Sequence, residues 1–393
     1  MTSVRTRVAI VGAGPAGLTL SHLLAEAGIE SIVVDRRSRE EIEATIRAGI
    51  LEQGTVELLD GIPGSRARTV GDRHDGIELR FDGEAHRINF AALVNRSVWL
   101  YPQHEALKDL IAARLDAGQD LRFETTVDEV VGAATATPSV HGVTATGERF
   151  EITADFVVGA DGSHSAVRKA IKTDNTQGYF REYPFAWYGI LCEAAPSAPE
   201  LIYSHSENGF ALISQRSETV QRMYFQCDPS TDVNSASEAE LWDTLQARVP
   251  GTELVEGPIF QRDVLRFRSY VAAELRHGSV ALVGDAAHTV PPTGAKGMNL
   301  AIADVVLLNE ALQELLLRGS SAGIDAYAEA ALRRIWKSQH FSWWMTSMLH
   351  LSPEAGEFDR LRQLGELRSV VDSEAGQRYL AEAYTGWPLL TSL

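Results

Sequence analysis

The 393-residue chain has two cysteines, Cys192 and Cys227, too few and too far apart for a disulfide framework or a CxxC pair. Both are predicted as buried thiols of a reducing cytoplasm. The 11 histidines are scattered without HxH or HExxH spacing, so no metal centre is expected. No run approaches the roughly 18 apolar residues of a membrane span, and the first residues lack a signal peptide's apolar stretch and cleavage site. Cations are short as well: 36 Lys and Arg stand against 53 Asp and Glu, a net charge of −17. That balance opposes binding to nucleic acid or an anionic membrane, while leaving a pocket free to gather local arginines. Tandem repeats and low-complexity tracts are also missing.

What is present is enough chain for two to three domains with ordinary globular composition. RVAIVGAGPAGLTLSHLLAEAGIESIVVDR, residues 7–36, reads as strand, glycine turn, amphipathic helix closed by Gly28, and second strand. A helix is expected over 41–60, strand-like pieces over 75–100, and a helix over 104–117. Residues 121–158 read as an antiparallel ribbon leading into the buried strand of FVVGADG. From about 175 to 275 the texture turns to strands, and SVALVGDAAH at 279–288 supplies a third buried strand. Long helices follow from about 297 to 349, and the aromatic-rich stretch 335–350 is predicted to pack on a large core.

The chemistry begins with Gly12-x-Gly14-x-x-Gly17 between strand and helix, with Asp35 closing the next strand. Gly12 would make the tight turn, Gly14 would admit a pyrophosphate to the backbone, and Gly17 would let helix and strand pack closely. Asp35 would accept from a ribose hydroxyl. The motif alone does not separate FAD from NAD. Two further strand ends, carrying Asp161 and Asp285, and the run Pro291–Asn299 supply additional ligand-facing turns that a simple NAD dehydrogenase does not need.

VGAGPAG, IRAGILEQG, VGADGSHSAVR, ELIYSHSENGFALISQRS, VGDAAHTVPPTGAKGMNLA and RRIWKSQHFSWWMTSMLH together resemble the single-component FAD-dependent aromatic hydroxylases over residues 5–390. The resemblance implies an α/β and α+β fold with a discontinuous Rossmann-like FAD-binding domain (1–75, 100–175, 276–320). An inserted strand-rich substrate domain (76–99, 176–275) and a helical C-terminal region (321–393) complete it. It implies hydroxylation of 4-hydroxybenzoate at C3, giving 3,4-dihydroxybenzoate, with NAD(P)H and O2 as co-substrates, in a cytoplasmic homodimer. Two alternatives stand beside this: a hydroxylase of the same fold for another hydroxy- or aminobenzoate, and a flavin-dependent reductase or oxidase without ring oxygenation.

Residue by residue, the resemblance implies that Ser214, Arg216 and Tyr224 hold the substrate carboxylate, Arg216 by a bidentate fork. Tyr203 meets the phenol oxygen, with the Pro292 carbonyl nearby, and Tyr384 and His74 carry its proton toward solvent. Arg47 and Gln103 flank the flavin pyrophosphate, ribose or ribitol, and Asp285 meets the ribitol. Arg222 contacts the flavin and responds to substrate. Gly297, Met298 and Asn299 belong to the flavin-side loop. His164 and Arg268 address the nicotinamide phosphates, and Arg36 starts the region associated with donor choice. NADPH-selective members have an aromatic residue and an arginine where this chain has Glu41 and Thr45, so NADH acceptance is predicted, with NADPH as the alternative. Arg37 and Arg39 argue the other way.

Overall fold

The computed structural model describes residues 2–45, 49–171 and 178–389. The strand Thr2–Val11, apolar and buried over Val8–Val11, runs parallel between Arg149–Gly159 and Ser31–Val34, with Val280–Leu282 and Leu121–Arg122 outside them. Such strands read as unbroken apolar runs because parallel sheets are covered by helices. Here helix Pro15–Glu26 packs against both Gln103–Asp116 and Gly297–Arg318. Thr125–Val131 and Ser139–Thr144 form the expected antiparallel ribbon on Arg149–Gly159.

A second sheet runs His288–Thr289, Ile259–Val271, Tyr179–Glu193, Val220–Cys227, Gly209–Ser217, Ile202–Ser206, Gly76–Phe81, Glu84–Asn89. Successive side chains face opposite sides of a strand. One face therefore sends Tyr188, Ile190, Ile213, Met223 and Phe225 onto helix Glu238–Arg248. The other sends Trp187, Tyr203, Leu212 and Tyr224 into a core shared with the C-terminal helices. Register places Leu79, Tyr203, Leu212, Tyr224, Gly189 and Asp263 in one row across this sheet. That row carries the site described below.

One element departs from the sequence expectation. The helix expected over 41–60 is two, Arg39–Ala44 and Gln53–Asp60, separated by the strand Ile50–Glu52. Periodicity alone missed the strand because its partner is distant: it pairs with Val98–Leu100, which also pairs with Asp72–His74. This small sheet joins residues expected in two different domains.

Helices Gly297–Arg318 and Ala322–Leu349 pack on each other, the first ending at Gly319 in the left-handed region, φ +73°. Glu374–Thr385 packs against helix Phe90–Val94, bringing Tyr384 to the sheet core. No described helix is long and apolar enough to cross a membrane.

His350 locks this core. Its Nε2 accepts from the Trp187 indole at 2.7 Å, so Nδ1 carries the proton and donates to Thr346 O at 2.9 Å. The ring stacks on Phe185 and Phe210 at 4.7 and 4.3 Å. Burial pushes its pKa down from 6.5 to about 3. The native state holds the neutral ring while the unfolded chain titrates near 6.5, so this contribution to stability is present above that value and lost as pH falls toward 3. The slope is at most about 1.4 kcal/mol per pH unit. Denaturant unfolding of His350→Gln is expected to show a shallower loss of stability between about pH 6 and pH 4 than the native chain; equal slopes would contradict this role.

Candidate active site

The glycine loop is held by contacts no side chain would survive. Gly12 has φ +112°, and a Cβ there would lie 2.2 Å from Ala160 O; a Cβ on Gly17 would lie 1.9 Å from Gly12 O. Gly14 faces open space at the N-terminus of helix Pro15–Glu26, whose first turn has no acidic residue. Open backbone amides at a helix N-terminus suit a pyrophosphate. Gly297, at the start of Gly297–Arg318, also faces open space, and Met298 is partly buried beside it. Both helix starts thus fit the two halves of an FAD. Asn299 ties the second start to strand Ile50–Glu52: its Nδ2 donates to Ile50 O and Ala295 O, and its Oδ1 accepts from Glu52 N, each at 2.9 Å.

The acidic residues divide differently from expectation. Asp35 already accepts from Ala13 N and from the Arg37 backbone N, Nε and Nη2, at 2.8–3.0 Å. These fill the roughly four acceptor sites of a carboxylate, so Asp35 braces the glycine loop, and a ribose hydroxyl would have to displace a bond. Asp161 likewise caps its own turn, accepting from Ser165 Oγ and from the amides of Ala166 and Val167. Asp285 stands in the short helical turn Gly284–Ala286, and its carboxylate accepts no hydrogen bond from the described residues. That turn rests on a buried pair absent from the sequence reading: Asp304 Oδ2 binds His288 Nε2 at 2.6 Å and accepts from Gly284 N at 3.0 Å. Gln103 begins its helix at partial exposure, and Arg47 lies outside the described residues.

At one end of the sheet row, two guanidiniums flank Tyr224. Arg222 stacks 4.7 Å from the ring centroid and pairs through Nη2 with Asp263 Oδ2 at 2.5 Å. Arg216 lies at a bulge between Gln215 and Ser217, and its guanidinium also feels the Tyr224 phenol. Burial lowers the Arg216 pKa, its Nε is buried without a partner, and no carboxylate among the described residues pairs with it. Ser214 Oγ donates to Arg222 O at 2.6 Å, so its proton is already used across the strands. The space between Arg222 and Asp263 exists because residue 189 is glycine: a Cβ there would lie 2.4 Å from Asp263 Oδ1 and 2.9 Å from Tyr224 Cε1.

Two strands along the row, about 10 Å away at the usual spacing, Tyr203 meets Tyr384, hydroxyl to hydroxyl, at 2.7 Å. Burial raises both pKa values, so both phenols stay protonated and each O–H can donate either way. Pro292 opens the short helix Pro292–Gly294, and its carbonyl accepts from Ala295 N at 2.9 Å. Read from the resemblance as the solvent-side terminus, His74 is itself buried, and its Nε2 lies 3.0 Å from Asp72 Oδ2 and 2.8 Å from Gln215 Nε2. The more exposed group is Asp72. His74 Nδ1 is buried without a partner.

Two charged residues here were not singled out in the sequence. Lys296 Nζ donates to Glu52 Oε1 at 2.6 Å and to Tyr384 O at 3.0 Å, and both side chains are buried. Burial pulls the lysine pKa down, and Glu52 opposes that shift. The only sequence signal was a lysine inside the otherwise apolar PPTGAKGMNLA, and its partner lies 244 positions away.

His164 and Arg268 are exposed and come together through Ser163, whose Oγ accepts from Arg268 Nη2 at 2.9 Å. Ser163 and His164 line a groove of about 690 Å³ with Arg168, Lys169 and Tyr270. Arg36 is exposed on the loop after Ser31–Val34, where Arg37 is engaged by Asp35 and Arg39 by Glu43. Glu41 closes a capping box with Ser38.

A glycine loop, a GD turn and a covered sheet in this order are the parts of a flavin enzyme. A family model described as an FAD binding domain matches residues 5–342, and the chain belongs to this family, as an FAD-dependent aromatic hydroxylase. It is 41% identical to p-hydroxybenzoate hydroxylase of Acinetobacter baylyi, over 99% of this chain and 97% of that protein. It is 29% identical to 6-methylpretetramide 4-monooxygenase of Streptomyces rimosus, over 84% and 80%. Among solved structures, p-nitrophenol 4-monooxygenase of Pseudomonas putida shares the fold, with a TM-score of 0.80 at 20% identity over 98% and 99% of the two chains. The protein is an FAD-dependent monooxygenase of an aromatic substrate.

The Lys296–Glu52 pair yields a stability test. Removing one partner leaves a buried charge uncompensated, a loss of about 3–5 kcal/mol, whereas removing both at matched volume is close to neutral. Denaturant titration should find Glu52→Gln strongly destabilised and Glu52→Gln/Lys296→Met largely restored. Additive losses would contradict the pairing.

Proposed function

We propose that the enzyme hydroxylates 4-hydroxybenzoate at C3, yielding 3,4-dihydroxybenzoate, with NADH as preferred electron donor and NADPH as the alternative. One observation carries the reading: Tyr224, flanked by an Arg216 guanidinium that pairs with no described carboxylate, lies two strands from the protonated Tyr203–Tyr384 pair in one row of the sheet. A benzoate with a para hydroxyl carries an anionic end and a phenolic end on opposite sides of its ring, which suits a cation and a phenol pair at separate points of one face. The similarity to a p-hydroxybenzoate hydroxylase over nearly the full length supports the same substrate.

Arg216 takes the carboxylate, with the Tyr224 hydroxyl beside it. Ser214 joins once its hydroxyl turns from Arg222 O. At the far end Tyr203 accepts the phenolic proton and hands its own to Tyr384. From there the proton leaves toward His74 and the exposed Asp72. The Pro292 carbonyl lies by the same oxygen. Deprotonation matters because a phenolate pushes more electron density into the ring than a phenol. Bound FAD, held by the glycine loop, Gln103, Asp285, Arg222 and the 297–299 turn, supplies electron transfer and O2 activation. The protein's part is to orient the ring, hold its proton path and exclude water.

His164, Arg268 and Arg36 would meet the phosphates of the nicotinamide donor. The two arginines that favour a 2′-phosphate are both neutralised, Arg37 by Asp35 and Arg39 by Glu43, while Glu40 is exposed beside them. This supports NADH. The proposal includes a cytoplasmic homodimer, with the exposed Trp336 and Trp343 as its face, and the three-part domain division given above.

Anaerobic flavin reduction by NADH and by NADPH, each with and without 4-hydroxybenzoate, tests the reading. Reduction should be faster with NADH and accelerated by the acid; a strong NADPH preference would overturn the donor assignment, and acceleration only by an aminobenzoate would reassign the substrate. For Tyr203→Phe, ring hydroxylation should fall by about 10²-fold or more while substrate affinity changes little. Product formed per NADH consumed measures this, and full coupling at normal turnover would remove Tyr203 from its role.

A further inference from the structure

One buried cation, Arg222, one partly buried cation, Arg216, and one anion share the acid end of the site. Arg222 and Arg216 both lie beside Tyr224, and each guanidinium acts unfavourably on the other. Asp263 reaches Arg222 across the space left by Gly189, where any side chain would strike the bridge: a Cβ would lie 2.4 Å from Asp263 Oδ1 and 3.0 Å from Arg222 Nη2. Arg222 is nearly buried, whereas Asp263 opens partly to solvent. One pairing therefore cancels one charge, and the uncancelled cation among the two is Arg216, which pairs with no described carboxylate; the Nε of each arginine is buried without a partner. The second oxygen of the bridge, Asp263 Oδ1, is itself buried without a partner. It is an acceptor held close to the acid end, and it opposes any further negative charge there.

We propose that Asp263 is a positioning residue that sets the charge of this pocket: by neutralising Arg222 it leaves one free cation and makes the site selective for a ring monocarboxylate over a dicarboxylate. The inference rests on the reading that Arg216 holds the carboxylate. Asp263 touches neither substrate nor reacting atoms. It acts through Arg222, whose side chain it fixes over the Tyr224 ring. Removing its charge should leave a pocket with two free cations, more attractive to every carboxylate and most attractive to a dianion.

The test uses the FAD-loaded enzyme and three ligands: 4-hydroxybenzamide, 4-hydroxybenzoate and 4-hydroxyphthalate, which carry zero, one and two carboxylates. Dissociation constants are read from the change in flavin absorbance on ligand binding. In Asp263→Asn the amide should bind as before, the monoacid roughly three- to tenfold tighter, and the diacid should gain more than the monoacid. Asp263→Glu should return all three toward native values. A merely structural role would shift the three ligands alike; that result, or weaker binding of the monoacid, overturns the proposal. Arg216→Ala separates the two claims. It should erase the difference between acid and amide, and if it leaves acid affinity at the native value, the reading of Arg216 fails independently of Asp263.

Discussion

A guanidinium held in a protein interior without a counter-ion is costly, and this structure keeps one. Among the described residues Arg216 has no carboxylate partner; its Nη1 donates to Gln215 O at 3.2 Å, and the Tyr224 phenol lies against the guanidinium. Much of the surrounding architecture follows from that arrangement. A neighbouring arginine is tied off by Asp263, a glycine at 189 makes room for the tie, and Tyr224 lies against both cations. An anionic ligand completes the set.

The sheet then converts that single contact into orientation. Pairing fixes Tyr203, Leu212, Tyr224 and Gly189 in one row, so under the proposed reading a ring held beside Tyr224 would present its far end to the tyrosine pair. The cover comes from the other end of the chain: helix Glu374–Thr385 supplies Tyr384, and Lys296 donates to its backbone carbonyl. Lys296 is bound in turn to Glu52, which hangs beside the amide held by Asn299. The 297–299 turn and the Tyr203–Tyr384 pair are thus joined by a short chain of buried polar contacts.

The parts legible in the sequence were those with local signatures. Continuous apolar strands, the Gly12–Gly17 loop and its packing, and the alternation of the sheet domain all follow from neighbours within a few positions. Residues whose meaning comes from distant partners were not legible. Asp263 meets Arg222 from 41 positions away and Glu52 meets Lys296 from 244, and neither sits in a periodic or spaced motif. Asp35 and Asp161 show a second kind of distant meaning. Their positions in motifs suggest ligand acceptors, and the same carboxylates also brace the loops they belong to, a role that no motif spells out. The strand Ile50–Glu52 was hidden because three residues carry no period, and its existence depends on Val98–Leu100.

The account joins carboxylate capture, phenol deprotonation and oxygen insertion in one reaction, and its most direct test is isotopic. Turnover of 4-hydroxybenzoate with NADH under oxygen-18 gas, followed by mass spectrometry and separation of the product isomers, reports the origin and position of the new oxygen together. The account predicts 3,4-dihydroxybenzoate with a single labelled oxygen at C3. NADH consumed with labelled hydrogen peroxide as the only oxygen product, or an unlabelled ring, would contradict it.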